Sequence, residues 1–129
     1  MKIEHLAIWV KDLERMRLFY ETYFQGKTGK LYVNQKKNFR SYFISFKEGC
    51  KLELMNSQAI PPNLNDLSKQ HEGIIHFAIS VGSKEIVDSL THKLRNDGYK
   101  IIGEPRTTGD GCYESLILDP ENNRLEITV

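Results

Sequence analysis

The chain contains the same pattern twice, and this internal repeat limits its possible folds more than any other feature. Two short motifs of the first half, HLAIWV and KLEL, return in the second half as HFAISV and RLEI. Each half therefore has one His near its start and one Glu near its end: His5 with Glu53, and His76 with Glu126. Imidazole nitrogen and carboxylate oxygen are common ligands of divalent metals, so a repeat that duplicates both predicts a metal site.

The composition is that of an ordinary globular domain and excludes several classes of partner. The chain has 129 residues, of which 40% are hydrophobic and 27% charged, and its formal net charge is +1. So small a charge gives no basic field to hold nucleic acid or an anionic membrane. No apolar run approaches the ~18 residues that a membrane-spanning helix needs. We expect a small-molecule substrate as partner, with no nucleic acid and no membrane.

The cysteines and the N-terminus indicate the compartment. Cys50 and Cys112 are the only two cysteines, too few for a disulfide framework and not in a Cys-x-x-Cys spacing. The first residues, MKIEH, show no charged segment followed by an apolar one, as a secretory signal would. We therefore expect reduced thiols in a cytoplasmic protein.

Hydrophobic spacing predicts the same order of elements in both halves: a strand, a helix and three further strands. In the first half the predicted strands are 2–10, 31–33, 39–46 and 51–55, with a helix capped by Asp12 after the first. In the second half they are 74–81, 99–102, 113–118 and 123–129, with a helix capped by Ser83 after the first. The sequence thus predicts an α+β fold of two βαβββ modules, 1–57 and 73–129, joined by a linker over 58–72 within a single domain over 1–129.

Strand alternation places the four ligand candidates on one kind of face. Because successive side chains of a strand face opposite ways, His5, Glu53, His76 and Glu126 all lie opposite a row of bulky aliphatic residues. The aliphatic rows should pack on the helices, which leaves the candidates on the inner face of a curved mixed sheet around a metal cleft. A lone strand His is usually exposed or hydrogen-bonded. His71 and His92 have no repeat partner and are given that ordinary interpretation.

With these residues in hand, the chain resembles the vicinal oxygen chelate superfamily, also called the glyoxalase/bleomycin resistance/dioxygenase superfamily. The resemblance covers nearly the whole chain. It rests on the HLAI opening at His5, on the ending DPENNRLE at 119–126, and on the paired βαβββ order. The His/Glu/His/Glu set resembles that of glyoxalase I, whereas members that transfer thiols to fosfomycin, and extradiol dioxygenases, use two His and one Glu.

The resemblance implies a metal-dependent lyase or isomerase that acts on a small α-oxo or thiol-adduct substrate. It would use one divalent metal per site, with Ni, Zn, Mn, Co and Fe all open. By resemblance Glu126 is the leading proton-transferring base, and Glu53 is a ligand and possible second proton carrier. Arg40 and Tyr113, near the starts of their strands, are candidate substrate contacts.

Two departures from glyoxalase I bear on the substrate. An Arg that contacts a glutathione carboxylate is replaced here by Trp9, and an Asn by Ser57. An indole donates a single neutral hydrogen bond and does not replace a guanidinium. Trp9 instead suggests a flat apolar wall for the substrate.

The departures keep an alternative open: a non-catalytic or thiol-transferase member that binds or sequesters an aromatic or antibiotic ligand. The sequence also leaves open whether the modules pair within one chain or between two. Because one module supplies only one His and one Glu, we expect a homodimer.

Overall fold

A computed structural model describes residues 1–64 and 66–129, and the chain divides into two compact units after Leu64. The division falls inside the predicted linker 58–72. Each unit contains one α-helix and one sheet in which parallel and antiparallel strand pairs coexist. The predicted α+β class is therefore confirmed, whereas a single domain over 1–129 with a curved sheet around a cleft stays a prediction. Neither described α-helix is long and apolar enough to cross a membrane.

The first unit has a five-stranded sheet. Its elements are β1 (His5–Trp9), α1 (Leu13–Phe24), β2 (Lys27–Thr28), β3 (Tyr32–Asn34), a short 3₁₀ helix (Gln35–Lys37), β4 (Phe39–Ser45) and β5 (Lys51–Ser57). The strand order is β1-β5-β4-β2, and β3 also pairs with β4. Only the β1–β5 pair is parallel. The sequence did not predict β2, because two residues are too few to show an alternation.

Helix α1 covers one face of this sheet. Asp12 caps it as predicted, since its Oδ1 accepts a hydrogen bond from the backbone N–H of Arg15. The helix buries an aromatic-rich stripe that packs against β4 and β5, where Ile44, Leu52 and Leu54 are all buried. The face opposite the helix is the one that holds His5 and Glu53.

The second unit has a four-stranded sheet with the predicted βαβββ order. Its elements are β6 (Phe77–Ser80), α2 (Lys84–Asn96), β7 (Ile101–Thr107), β8 (Tyr113–Leu118) and β9 (Arg124–Thr128), with strand order β6-β9-β8-β7. Ser83 caps α2 as predicted, because its Oγ accepts from the backbone N–H of Ile86. Gly98 adopts a left-handed conformation just after the helix, with φ of 89°.

The turn between β8 and β9 sets the position of Glu126. The buried Asp119 carboxylate accepts hydrogen bonds from the backbone N–H groups of Glu121 and Asn123 and from the Asn123 side chain. Asn122 takes the left-handed conformation that closes the turn. The register that follows from this turn pairs Leu116 with Glu126.

Candidate functional site

The first His/Glu pair lies on the open face of the first sheet. Parallel pairing sets Ala7 beside Glu53, and His5 shares the face of Ala7. Nε2 of His5 lies 3.8 Å from Oε2 of Glu53. The carboxylate side chain is 13% exposed and the imidazole 40% exposed, so the acid is the sheltered partner. The Phe43 ring, which meets the His5 imidazole edge to face at 5.4 Å, limits where the imidazole can turn.

The second pair repeats this arrangement in the second sheet. Ala78 pairs with Glu126 across β6 and β9, and His76 comes one residue before β6 begins. Nε2 of His76 lies 3.3 Å from Oε2 of Glu126, with the imidazole 38% and the carboxylate 14% exposed. Residues 74–81 were predicted to form a strand, but β6 begins only at Phe77, so His76 lies just before it. Exposed and half-buried residues nevertheless alternate from His76 into β6.

A second carboxylate, Glu114, stands beside Glu126. It lies on β8 on the same face, and Nη2 of Arg106 is 3.3 Å from its Oε1. Burial raises the pKa of the Glu126 carboxyl, and the negative charge of Glu114 raises this pKa further, while His76 opposes the shift. Glu114 was not among the predicted site residues, although its alternation with Leu116 places it on the face of Glu126.

A fourth carboxylate, that of Glu4, contacts the imidazole of His5 in the first unit. Its Oε2 lies 2.5 Å from Nδ1 of His5, and its Oε1 forms an ion pair with Lys51. Glu4 was not among the predicted site residues because it has no counterpart in the repeat, where Ile75 precedes His76.

Trp9 lies where the sequence predicted, on the face of His5 and Glu53. It is 43% exposed, and its indole meets the Phe39 ring edge to face at 5.9 Å. The Phe39 ring in turn contacts Tyr32, which is 54% exposed, at 6.1 Å. We call these three rings the aromatic cluster. They give the first unit a half-exposed apolar surface beside its His/Glu pair.

The two other candidate substrate contacts lie on the opposite faces of their sheets. Arg40 pairs with Asn56 on the face covered by α1, and its Nη2 donates a 2.9 Å hydrogen bond to the Asn56 side chain. Tyr113 shares the face of Ser115, and its hydroxyl donates a 2.7 Å hydrogen bond to Asp88 of α2. Both residues lie near strand starts, and this position does not determine which face of the sheet they occupy.

The donors of the two pairs fit a divalent cation. Two imidazole nitrogens and four carboxylate oxygens suit Ni, Zn, Mn, Co or Fe(II). Both carboxylates are sheltered and beside an imidazole, which is where a cation offsets the cost of burying negative charge. Among the residues that the structure describes, no group of three or more His, Cys, Asp or Glu stands ready as a metal cluster. Each unit therefore offers one His/Glu pair.

A sequence profile of the Glyoxalase/Bleomycin resistance protein/Dioxygenase superfamily matches residues 2–127 of the chain. The chain belongs to this superfamily. The match covers both His/Glu pairs and confirms the family resemblance drawn from the HLAI opening and the DPENNRLE ending.

One relative of this chain is the uncharacterized protein YqjT of Bacillus subtilis (strain 168). It is 29% identical over 97% of this chain and 96% of its own. Among solved structures, maize glyoxalase I has a TM-score of 0.79 at 21% identity over 98% of this chain. The trypanothione-dependent glyoxalase I of Leishmania major has a TM-score of 0.78 at 21% identity, covering 99% of this chain and 86% of its own. The chain spans 44% of the maize chain, and identities this low show a shared fold alone.

Proposed function

We propose that this protein is a metal-dependent lyase or isomerase of the glyoxalase type, which acts on a small α-oxo compound or its thiol adduct. The observation that supports this most is the duplication of one arrangement. In both units an exposed imidazole stands within 4 Å of a sheltered carboxylate on the sheet face opposite the helix. A structural role for one such pair is ordinary, but two at repeat-matched positions favour a shared ligand set.

In this proposal His5, Glu53, His76 and Glu126 hold one divalent ion between them. When bound, the ion supplies Lewis acidity that stabilises negative charge on neighbouring substrate oxygens. Glu126 is the proposed base: it removes the proton from the carbon beside the carbonyl, and the electron pair forms an enediolate. Glu126 can exchange this proton with solvent while it holds it, and Glu126 or Glu53 then delivers a proton to the adjacent carbon. The substrate hydroxyl loses its proton as the former carbonyl oxygen gains one, so that the substrate is isomerised without any net loss of atoms.

The assembly and compartment are part of the proposal. One unit supplies one His and one Glu, so a four-ligand site needs two units, from one chain or from two. We propose a homodimer with two equivalent sites. Cys50 and Cys112 are both free and exposed, which agrees with a reducing cytoplasm.

The decisive experiment joins metal retention to proton transfer. Protein loaded separately with each candidate metal and dialysed should retain about one ion per chain for at least one of them. That form should then catalyse exchange of the substrate C–H proton with solvent deuterium, followed by NMR across a panel of α-oxo compounds mixed with different thiols. The chelated protein is the control. The proposal is contradicted if no candidate metal is retained and if no deuterium exchange exceeds that of the chelated control.

The aromatic cluster favours a second candidate function, the sequestration of an aromatic or antibiotic ligand without turnover. Exposed aromatic rings stack with flat apolar molecules. Trp9 is the only tryptophan in the chain, so its fluorescence reports binding at the cluster directly. Saturable quenching by an aromatic ligand in the chelated protein, without deuterium exchange in the metal-loaded one, would favour this second function over the first.

A further inference from the structure

Glu4 and His5 form a contact that the ligand set does not account for. Oε2 of Glu4 lies 2.5 Å from Nδ1 of His5, the ring nitrogen on the far side from Nε2. Nε2 is the nitrogen that faces Glu53, at 3.8 Å. A carboxylate accepts hydrogen bonds and does not donate them when ionised, so this contact requires the proton on Nδ1. Nε2 is then left with a lone pair directed toward Glu53.

Neighbouring groups hold the Glu4 carboxylate in this place. The ammonium of Lys51 forms an ion pair with its other oxygen, and the backbone N–H of Lys51 donates to the carbonyl of Glu4 at 3.1 Å. Lys51 is brought there by strand pairing, because it stands beside His5 in the parallel β1–β5 register. Its ammonium also lies 5.3 Å from the centre of the Phe43 ring, which packs on the His5 imidazole.

Both oxygens of the Glu4 carboxylate are engaged, one facing Nδ1 of His5 and the other paired with the Lys51 ammonium. A carboxylate that binds the outer nitrogen of a metal-binding His fixes both the tautomer and the orientation of the ring.

We infer that Glu4 is a positioning residue for His5. It holds the proton on Nδ1, so that Nε2 is the free donor atom before any ion arrives. The inference rests on the proposed function only in that it takes His5 to be a metal ligand. The tautomer itself is a property of the metal-free protein.

The second half of the chain provides an internal contrast. Ile75 stands at the position equivalent to Glu4, so His76 has no acid at that place. Arg124 stands at the position equivalent to Lys51, and its Nη2 donates to the backbone carbonyl of Leu67 at 2.6 Å. His76 has its acid on the other nitrogen, with Nε2 3.3 Å from Glu126. The two imidazoles are therefore expected to carry their protons on opposite nitrogens.

The test is the tautomer of both imidazoles in the metal-free protein. Long-range ¹H–¹⁵N NMR, at a pH where both rings are neutral, should show Nδ1–H for His5 and mainly Nε2–H for His76. Glu4→Ala should move His5 toward Nε2–H and leave His76 unchanged. Glu4→Gln, whose amide oxygen still accepts a hydrogen bond, should keep most of the Nδ1–H form. Glu48→Ala removes an exposed carboxylate from the same unit and should change neither ring.

Metal affinity is the second readout. Glu4→Ala should weaken binding of the retained ion about 10–100-fold, the usual effect of losing such an outer partner, with Glu4→Gln in between and Glu48→Ala unchanged. If wild-type His5 has its proton on Nε2, or if Glu4→Ala leaves the tautomer as it was, the inference is wrong. If the tautomers are as expected but neither the wild-type protein nor any variant binds metal, the positioning of His5 by Glu4 is supported and the proposed function is contradicted.

Discussion

Nε2 of His76 lies 3.3 Å from Oε2 of Glu126, although the two residues belong to opposite ends of their module. Parallel pairing of β6 with β9 makes this possible, because it brings the first and last strands of the module side by side. The same pairing of β1 with β5 brings His5 to Glu53. In each module the parallel pairing of the first and last strands thus brings together one His and one Glu that are far apart in sequence.

Removing either imidazole is expected to abolish metal retention. His5→Ala and His76→Ala each leave at most three of the four proposed ligands, and both side chains are exposed enough for the fold to survive their loss. Ion content after dialysis should fall below stoichiometry, while the free energy of unfolding changes by no more than about 0.5 kcal/mol, as for other surface substitutions. His92→Ala, on the exposed side of α2, is the matched control and should keep the ion.

Glu126→Gln separates metal binding from proton transfer. The amide keeps an oxygen donor for the ion but has no basic carboxylate. We expect kcat to fall by about 10²-fold or more, the usual scale for losing a general base, with the ion still retained. Glu85→Gln, an exposed acid at the start of α2, is the control. A Glu126→Gln enzyme that keeps full kcat on the substrate found by deuterium exchange would rule out Glu126 as the base.

How much the sequence predicts depends on the length and regularity of each element. The helix caps at Asp12 and Ser83 were predicted because a capping side chain acts on backbone groups only two or three residues away. Strand β7 was predicted to end at 102 but continues to Thr107 through Gly103 and Pro105. Both residues usually interrupt strands. Here β7 pairs only with β8, with register shifts at these positions, and an edge strand tolerates them.

The site was predictable only where the repeat provided a second copy. The pairs His5–Glu53 and His76–Glu126 stand at matched positions, so each half supports the interpretation of the other. Glu4 has no repeat counterpart and was missed. Glu114 was missed because its role depends on the neighbouring strand, which brings Glu126 beside it.

Trp9 is expected to make glutathione a poor thiol for this protein. The resembled enzymes have an Arg there for a glutathione carboxylate, whereas Trp9 packs on Phe39 and offers only a neutral N–H. The methylglyoxal–glutathione adduct should react weakly or not at all, and another thiol or α-oxo compound should be preferred. The measurement is kcat/KM across thiols of different charge. A value for the glutathione adduct near ~10⁷ M⁻¹s⁻¹, typical of efficient enzymes, would contradict this prediction.

Tyr42 and Glu14 link the first sheet to its helix in a way that depends on pH. The Tyr42 hydroxyl donates a 2.7 Å hydrogen bond to Glu14, and Arg17 donates to the other oxygen; together they lower the pKa of the Glu14 carboxyl. Since this pKa is lower in the folded than in the unfolded protein, the contribution to stability is present above the unfolded pKa. It is lost as pH falls through the folded pKa.

Tyr42→Phe is therefore expected to raise the pKa of Glu14 toward its ordinary value, which a carboxyl NMR titration measures. The variant should be less stable than wild type at neutral pH, and urea unfolding should show this difference shrinking in acid. Tyr32→Phe removes an exposed hydroxyl from the same unit and is the control. An unchanged Glu14 titration in Tyr42→Phe would show that the hydrogen bond is not the cause of the shift.

The proposed four-ligand site gives a prediction about assembly. If modules are exchanged between two chains, His5 and Glu53 of a site come from one chain and His76 and Glu126 from the other. A heterodimer of His5→Ala and His76→Ala chains then has one site with both imidazoles and one with neither. Mixing the two inactive variants should restore metal retention and activity to as much as about a quarter of wild type, because half of randomly mixed dimers are heterodimers. If the modules pair within one chain, every site lacks one His and mixing restores nothing. Sedimentation of the wild-type protein at micromolar concentration should show a dimer in either case, and a monomer there would refute the predicted homodimer.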